Sequence, residues 1–416
     1  MQEPRTKKRV ESQISNLKSQ ISKVGIIGSG TMGIGIAQVA ATSGCEVFLY
    51  DANSAQTEKS LVNLQTTLDK LVAKDKISAQ KSQEIFGNIR SCTELSGFKD
   101  CNLVIEAIIE NKEIKTKVFQ QLEEIVSEDC IISSNTSSIS ITSLQAELKY
   151  PGRFIGIHFF NPAPLMPLVE VIPGLLTKDN LAQEIYALME NWSKTPVIAK
   201  DVPGFIVNRI ARPFYGEALR MAEENIATPE QIDDAMRTLG HFKMGPFELM
   251  DLIGIDINFS VTKTVYQDYF YDHKYKPSLL QQRMSEAKLL GRKTGKGFYD
   301  YSAQSREPSA RSREPRAESQ EPGARIQDLK DDKLYEEIFL RIISMLINEA
   351  VEAKRLGIAS DEDLELATQK GVNYPKGLLA WGKDIGYSKI SATLQNLYEE
   401  YQEERYRQSP LLRKME

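Results

Sequence analysis

The sequence predicts an α/β domain followed by an all-α domain, with a partial second copy of the all-α domain after it. Three observations predict this. Short β-branched runs alternate with helical stretches from about residue 23 to 172, as parallel α/β units do. From Phe205 onward the apolar residues recur at helical spacing instead. A shift of 132 residues then aligns 216–254 with 348–386 without a gap. A chain of 416 residues is long enough for two or three domains, each with its own core.

In order, KVGIIG (23–28) reads as a buried first strand, Gly33 to Ser43 as the helix after it, and EVFLYD (46–51) as a second strand. Residues 54–87 form a long, polar, helix-periodic excursion. Strand-like segments follow at 89–92, 101–108, 130–136, 153–160 and 168–173, the last two too β-branched and aromatic for good helices. The pattern changes at Asp201-Val202-Pro203-Gly204. Thr228-Pro229-Glu230 reads as an N-cap followed by proline at the first helical position. The expected organisation is a polar N-terminal extension at 1–22, the α/β domain at 23–200 and a helical domain at 201–301. A linker at 302–327 and the partial repeat at 328–416 complete it. The linker contains S-R-E-P, S-R-E-P and S-Q-E-P starting at Ser305, Ser312 and Ser319. Proline in each unit and no apolar seam exclude a coiled coil and predict a disordered charged segment. In the repeat, Glu217/Glu349, Ala218/Ala350, Ile226/Ile358, Ala227/Ala359, Gly245/Gly377 and Ile253-Gly254/Ile385-Gly386 coincide.

The bulk numbers exclude some functions. A formal net charge of -5 argues against a broad surface for polyanions, so nucleic acid is not an expected partner. No apolar run approaches the ~20 residues a membrane span requires, and no membrane association is expected. The first twenty residues lack the apolar stretch of a secretory signal. Cys45, Cys92, Cys101 and Cys130 show no C-x-x-C spacing, and three lie in or beside expected buried strands. A reduced, cytoplasmic setting is the expectation.

Gly28-Ser29-Gly30-Thr31-Met32-Gly33 is a G-x-G-x-x-G lying directly between a strand and a helix. The first glycine permits a tight turn, the second lets a pyrophosphate approach the backbone, and the third lets helix and strand pack closely. The anion would rest on the helix N-terminus, against its unpaired N–H groups and beside Thr31 and Met32. Asp51 ends the second strand, 23 positions after Gly28. A carboxylate there hydrogen-bonds the adenosine ribose and repels a 2′-phosphate, so NAD is expected rather than NADP.

Among three histidines, His158 stands out in IGIHFFNPAPLMPLVEV. A strand ends, a proline-rich loop intervenes, and the next strand carries Glu170. If the strands pair antiparallel, the two side chains face each other. The carboxylate would then fix the imidazole tautomer and leave the other nitrogen to accept a hydroxyl proton. A core histidine satisfied by a structural acid has the same spacing, and spacing alone leaves both readings open.

The combination of GSGTMGIGIA, VIEAIIEN, SNTSSIS, HFFNPAPLMPLVEV, DVPGFIVNR and GRKTGKGFYDY resembles the 3-hydroxyacyl-CoA dehydrogenase family, including 3-hydroxybutyryl-CoA dehydrogenases, over residues 23 to 301. The resemblance implies a Rossmann-type NAD-binding domain and an all-α C-terminal domain that closes over substrate and mediates dimers. It also implies reversible oxidation of an L-3-hydroxyacyl-CoA to the 3-ketoacyl-CoA in fatty-acid metabolism, on a short chain such as 3-hydroxybutyryl. His158 would be the base and Glu170 its partner, with Ser137 and Asn208 on the substrate. Glu110, Lys115, Asn161 and Lys293 would contact the cofactor, and no metal is implied. Lys70 and Lys74, with Lys76, could meet the CoA phosphates, though a solvated helix face explains them as well. The duplicated helical segment departs from simple members of the family. It suggests that 328–400 packs where a subunit partner would dock, giving a homodimer weakened or replaced by a pseudo-dimeric monomer. Two rivals are a dehydrogenase of free 3-hydroxy acids, which typically relies on a catalytic lysine, and a catalytically silent NAD-binding relative.

Overall fold

The computed structural model describes residues 21–302 and 322–416. The N-terminal extension up to residue 20 and the S-R-E-P repeats lie outside the described residues. The chain divides into two compact units. The first comprises residues up to Ile206 together with Ile358–Gly371, and the second comprises Val207–Gly357 with Val372–Glu416.

The first unit is built on one eight-stranded sheet in the order β3-β2-β1-β4-β5-β6-β7-β8. Its strands are β1 (Lys23–Ile27), β2 (Glu46–Tyr50), β3 (Ile89–Cys92), β4 (Leu103–Glu106), β5 (Ile131–Ser134), β6 (Phe154–Phe159), β7 (Leu168–Ile172) and β8 (Thr195–Ile198). All neighbours run parallel except β6 and β7, which are antiparallel. Helices α1 (Thr31–Thr42), α2 (Ser54–Ala73), α3 (Ala79–Gly87), α4 (Lys112–Glu123), α5 (Ile141–Gln145) and α6 (Leu181–Asn191) connect them. Strands β4 to β7 are buried at every position, the pattern expected of strands covered on both faces. The sequence reading did not anticipate β8. It is four residues long and contains Pro196, which weakens any strand signal.

The second unit is helical: α7 (Val207–Ile210), α8 (Arg212–Glu223), α9 (Pro229–Thr238), α10 (Pro246–Ile253), α11 (Ile255–Asp268) and α12 (Leu279–Glu286), then α13 (Pro322–Arg355), α15 (Leu378–Ile385) and α16 (Tyr387–Tyr401). The Thr228 side chain caps α9, as the T-P-E sequence predicts, and Gln231 completes a capping box. The GRKTGKGFYDY segment is held by Asp251, whose carboxylate accepts the backbone N–H groups of Phe298 and Tyr299 at 3.0 Å each. Helix α13 begins inside the expected linker, because Pro322 suits a first helical turn and good helix formers such as Ala324, Arg325, Gln327 and Leu329 follow it.

Element bounds recur at the 132-residue offset. Helices α10 and α11 correspond to α15 and α16, and the glycines between them adopt the same left-handed turn, with φ 103° at Gly254 and 91° at Gly386. One helix of the second stretch packs in the first compact unit. Helix α14 (Asp361–Gly371), the counterpart of α9, packs on β7 and β8 and belongs to the first unit. The Lys200 N–H donates to the Ile358 carbonyl at 2.8 Å, and the Ile198 N–H donates to the Asp363 carboxylate. Segment 328–416 is therefore not wholly a part of the helical unit. Periodicity reports that Leu364 and Ala367 face a core, but not which core.

In the second unit the buried charges pair reciprocally. Arg209 Nε donates to Glu349 Oε1 at 2.6 Å, and Arg341 Nε donates to Glu217 Oε2 at 3.0 Å. Arg209 Nη1 also meets the Tyr269 hydroxyl, and Arg341 Nη1 the Tyr401 hydroxyl, both at 3.0 Å. Arg209 and Arg341, Glu217 and Glu349, and Tyr269 and Tyr401 each stand 132 residues apart.

Candidate active site

The glycine turn follows β1. Gly28 has φ 98°, and a Cβ there would lie 2.6 Å from the Ala107 carbonyl oxygen, so no other residue fits without movement. A Cβ on Gly33 would lie 1.8 Å from the Gly28 carbonyl oxygen, which makes the third glycine a packing requirement of this turn. Gly30 differs, because a Cβ there meets no protein atom within 4 Å. Open space before an α-helix N-terminus, with exposed Thr31 as its first residue, fits a dinucleotide pyrophosphate. The Asp51 carboxylate accepts the Ser29 N–H at 2.7 Å and the Asn53 N–H at 2.9 Å, holding it at the end of β2 beside the turn. An acceptor carboxylate at this place fits an unphosphorylated adenosine ribose.

Register places His158 directly opposite Glu170 in the β6–β7 pair. His158 Nδ1 lies 2.7 Å from Glu170 Oε2, and the two side chains are 8% and 0% exposed. The other carboxylate oxygen, Oε1, accepts the Ile206 N–H at 3.0 Å. With the carboxylate as acceptor of this contact, Nδ1 would carry the proton and Nε2 would keep a lone pair for substrate. Phe160 and Phe205 flank the imidazole, with ring centroids 4.5 and 6.0 Å away. Lys194 Nζ donates to the Ala163 and Met166 carbonyls at 2.5 and 2.9 Å, tying down the loop between the two strands. Burial lowers the Lys194 ammonium to about 8. Exposed Asn161 opens that loop.

Ser137 lies in the turn after β5. Its N–H donates to Glu110 Oε1 at 3.0 Å, and the Thr136 and Ser138 hydroxyls donate to the same oxygen at 2.5 and 3.1 Å. Asp201 clamps the far end of the turn by accepting the Ser140 hydroxyl and the N–H groups of Ile141 and Thr142. Lys115 is 1% exposed and lies between two carboxylates, 2.6 Å from Glu106 and 3.2 Å from Glu110. Burial pushes the Glu110 carboxyl up, but Lys115 and the turn's donors more than offset it and leave the group below its ordinary range. Burial dominates at Glu106 and raises it, against the pull of Lys115 and Ser134. The sequence reading missed Glu106. Its signal was an acid closing the otherwise apolar strand LVIE.

The other expected residues lie on other elements. Lys70 and Lys74 are exposed at the end of α2. Asn208 lies on α7 in the second unit. Lys293 is also in the second unit, paired with Asp256 at 2.5 Å. Among the described residues no His/Cys/Asp/Glu group could hold a metal. No helix among them is long and apolar enough to cross a membrane. The four cysteines are unpaired, and burial raises the Cys45 thiol to about 11 and those of Cys101 and Cys130 to about 12.

A glycine turn open before a helix N-terminus, an acid closing the second strand and a histidine paired with a carboxylate, all on one sheet, form an arrangement suited to a nicotinamide-dependent oxidoreductase. The model of the 3-hydroxyacyl-CoA dehydrogenase NAD-binding domain matches residues 23–202, and that of the family's C-terminal domain matches 204–301 and 338–416. The chain belongs to the 3-hydroxyacyl-CoA dehydrogenase family and uses NAD. It is 35% identical to a 3-hydroxyadipyl-CoA dehydrogenase of Escherichia coli, across 94% of this chain and 97% of that one. It is 42% identical to a 3-hydroxybutyryl-CoA dehydrogenase of Clostridioides difficile, across 67% of this chain and 99% of that one. The crystal structure of a 3-hydroxybutyryl-CoA dehydrogenase from Escherichia coli superposes with a TM-score of 0.85 at 35% identity, covering 95% of this chain and 98% of that one.

Proposed function

We propose that the chain interconverts short-chain L-3-hydroxyacyl-CoA and 3-ketoacyl-CoA thioesters, with His158 as general base and Glu170 as its partner. The observation that carries this reading is the 2.7 Å contact between His158 Nδ1 and a carboxylate that the Ile206 N–H also holds. Bound NAD supplies the hydride acceptor or donor. His158 Nε2 takes the substrate hydroxyl proton in oxidation and returns it in reduction, and Glu170 stabilises the imidazolium. The Ser137 hydroxyl hydrogen-bonds the substrate oxygen from a turn that Glu110 and Asp201 hold in shape. Asn208 is assigned to substrate, and Asn161, Glu110, Lys115 and Lys293 to cofactor, as the family resemblance implies. The deciding assay follows NADH oxidation with acetoacetyl-CoA, with free acetoacetate, and with NADPH replacing NADH. Turnover is expected only with the thioester and NADH. Turnover of the free acid would move the reading to a hydroxyacid dehydrogenase.

We further propose that residues 338–357 and 372–401 form a second, partial copy of the helical domain, occupying the face a twin subunit would otherwise cover. The reciprocal pairs Arg209–Glu349 and Arg341–Glu217 support this, because each copy gives the other what it receives, as in an isologous interface. The full chain should elute as a monomer in size-exclusion chromatography coupled to light scattering. A dimer that persists after truncation at residue 301 would sink the idea.

A further inference from the structure

Glu106 belongs to no role assigned above, yet its carboxylate joins three parts of the site. It closes β4, between β1, which leads to the glycine turn, and β5, which leads to the Ser137 turn. Oε1 accepts the Ile108 N–H at 2.7 Å and Lys115 Nζ at 2.6 Å, and Oε2 accepts the Ser134 hydroxyl at 2.6 Å. The Ser134 oxygen in turn accepts the Thr136 N–H at 3.2 Å. Glu106 and Lys115 are 0% and 1% exposed, whereas Glu110 is 38% exposed. A ligand at the carboxyl ends of these strands therefore meets Glu110 before it meets the buried pair.

We propose that Glu106 is a positioning residue that neutralises Lys115, so that the Glu110 carboxylate is the one uncompensated charge beside the nicotinamide end of NAD. The inference rests on the assignment of Glu110 and Lys115 to that end. Two carboxylates flank a single ammonium, and with both ionised one net negative charge is left. The oxidised nicotinamide ring is a cation and the reduced ring is neutral, so this charge favours NAD+ over NADH. Without Glu106, Lys115 cancels Glu110 and the preference disappears. The contact of Glu106 with Lys115 is shorter than that of Glu110, so the buried acid takes the larger share of the lysine's charge.

The test measures the binary dissociation constants of NAD+ and NADH by calorimetry, without substrate. In Glu106→Gln the preference for NAD+ relative to NADH should fall about fivefold, chiefly through weaker NAD+ binding. In Glu106→Gln/Lys115→Met it should return to within about twofold of the parent, since Glu110 again stands alone. A purely structural role would change the binding of both forms together and leave their ratio unmoved. Glu106→Gln with an unchanged preference, or with both forms weakened equally, overturns the proposal. If Glu106→Gln does not fold, the double variant decides: the parental preference supports the proposal, and a lowered one overturns it. Glu110→Gln separates the underlying assignment. If it and Glu106→Gln both leave both constants unchanged, the placement of the nicotinamide end has failed. If it lowers the preference while Glu106→Gln does not, only the role of Glu106 has failed.

Discussion

His158→Gln should lower kcat for acetoacetyl-CoA reduction about 10³-fold while leaving the NADH dissociation constant within about twofold of the parent. Glutamine preserves much of the volume and can still donate to Glu170, so β6 and β7 need not move. It cannot relay a proton at this position. The carboxylate is 0% exposed and is held by the Ile206 N–H, so it stays in place when the imidazole is gone. Stopped-flow turnover and fluorescence titration of NADH read the two quantities separately. A protein that binds NADH normally and retains full turnover would contradict the role of His158 as base. Loss of binding together with turnover would instead mark His158 as part of the sheet's structural core.

Glu217→Gln should cost about 3–5 kcal/mol of stability, read as a lower urea midpoint for the second unit. Glu217 is 2% exposed and faces Arg341 at 3.0 Å and Arg405 at 3.3 Å, with the Tyr406 hydroxyl also donating to it. Burial alone would push its carboxyl up, but Arg341, Arg405 and Arg220 hold it below the usual range. Removing it leaves two desolvated guanidiniums facing each other. Glu217→Gln/Arg341→Met should therefore lose less than Glu217→Gln alone, because Arg405 retains Glu403 at 3.0 Å. A double variant less stable than the single one would show that packing, rather than unpaired charge, sets the cost.

Much of this was legible in the chain because the signals were local. The G-x-G-x-x-G needs only its flanking strand and helix, and both are present in the linear order. The His158–Glu170 contact was legible because a short loop between two β-rich runs brings its ends together antiparallel, and the register pairs these two residues directly. Glu106 was not legible as a site residue. An acid closing an apolar strand looks the same whether it faces water or a lysine on the next helix. The 132-residue offset identified Glu217 and Glu349 as equivalents, but it gave no hint that each binds an arginine of the other stretch. That residues 358–371 pack on the sheet was not legible, because an amphipathic helix carries no record of what its apolar face will cover.

That helix also sets a clock. The strand carrying Glu170 is made early, but α14, which covers β7 and β8, ends at Gly371, 173 residues after β8 ends at Ile198. At a synthesis rate of ~5–20 residues per second, this separation corresponds to roughly ten to thirty seconds. During that interval the nascent sheet has the Glu170 strand but not its final cover. An apolar surface left waiting for so long on the ribosome is one that a chaperone can hold, and one at which premature release would begin aggregation.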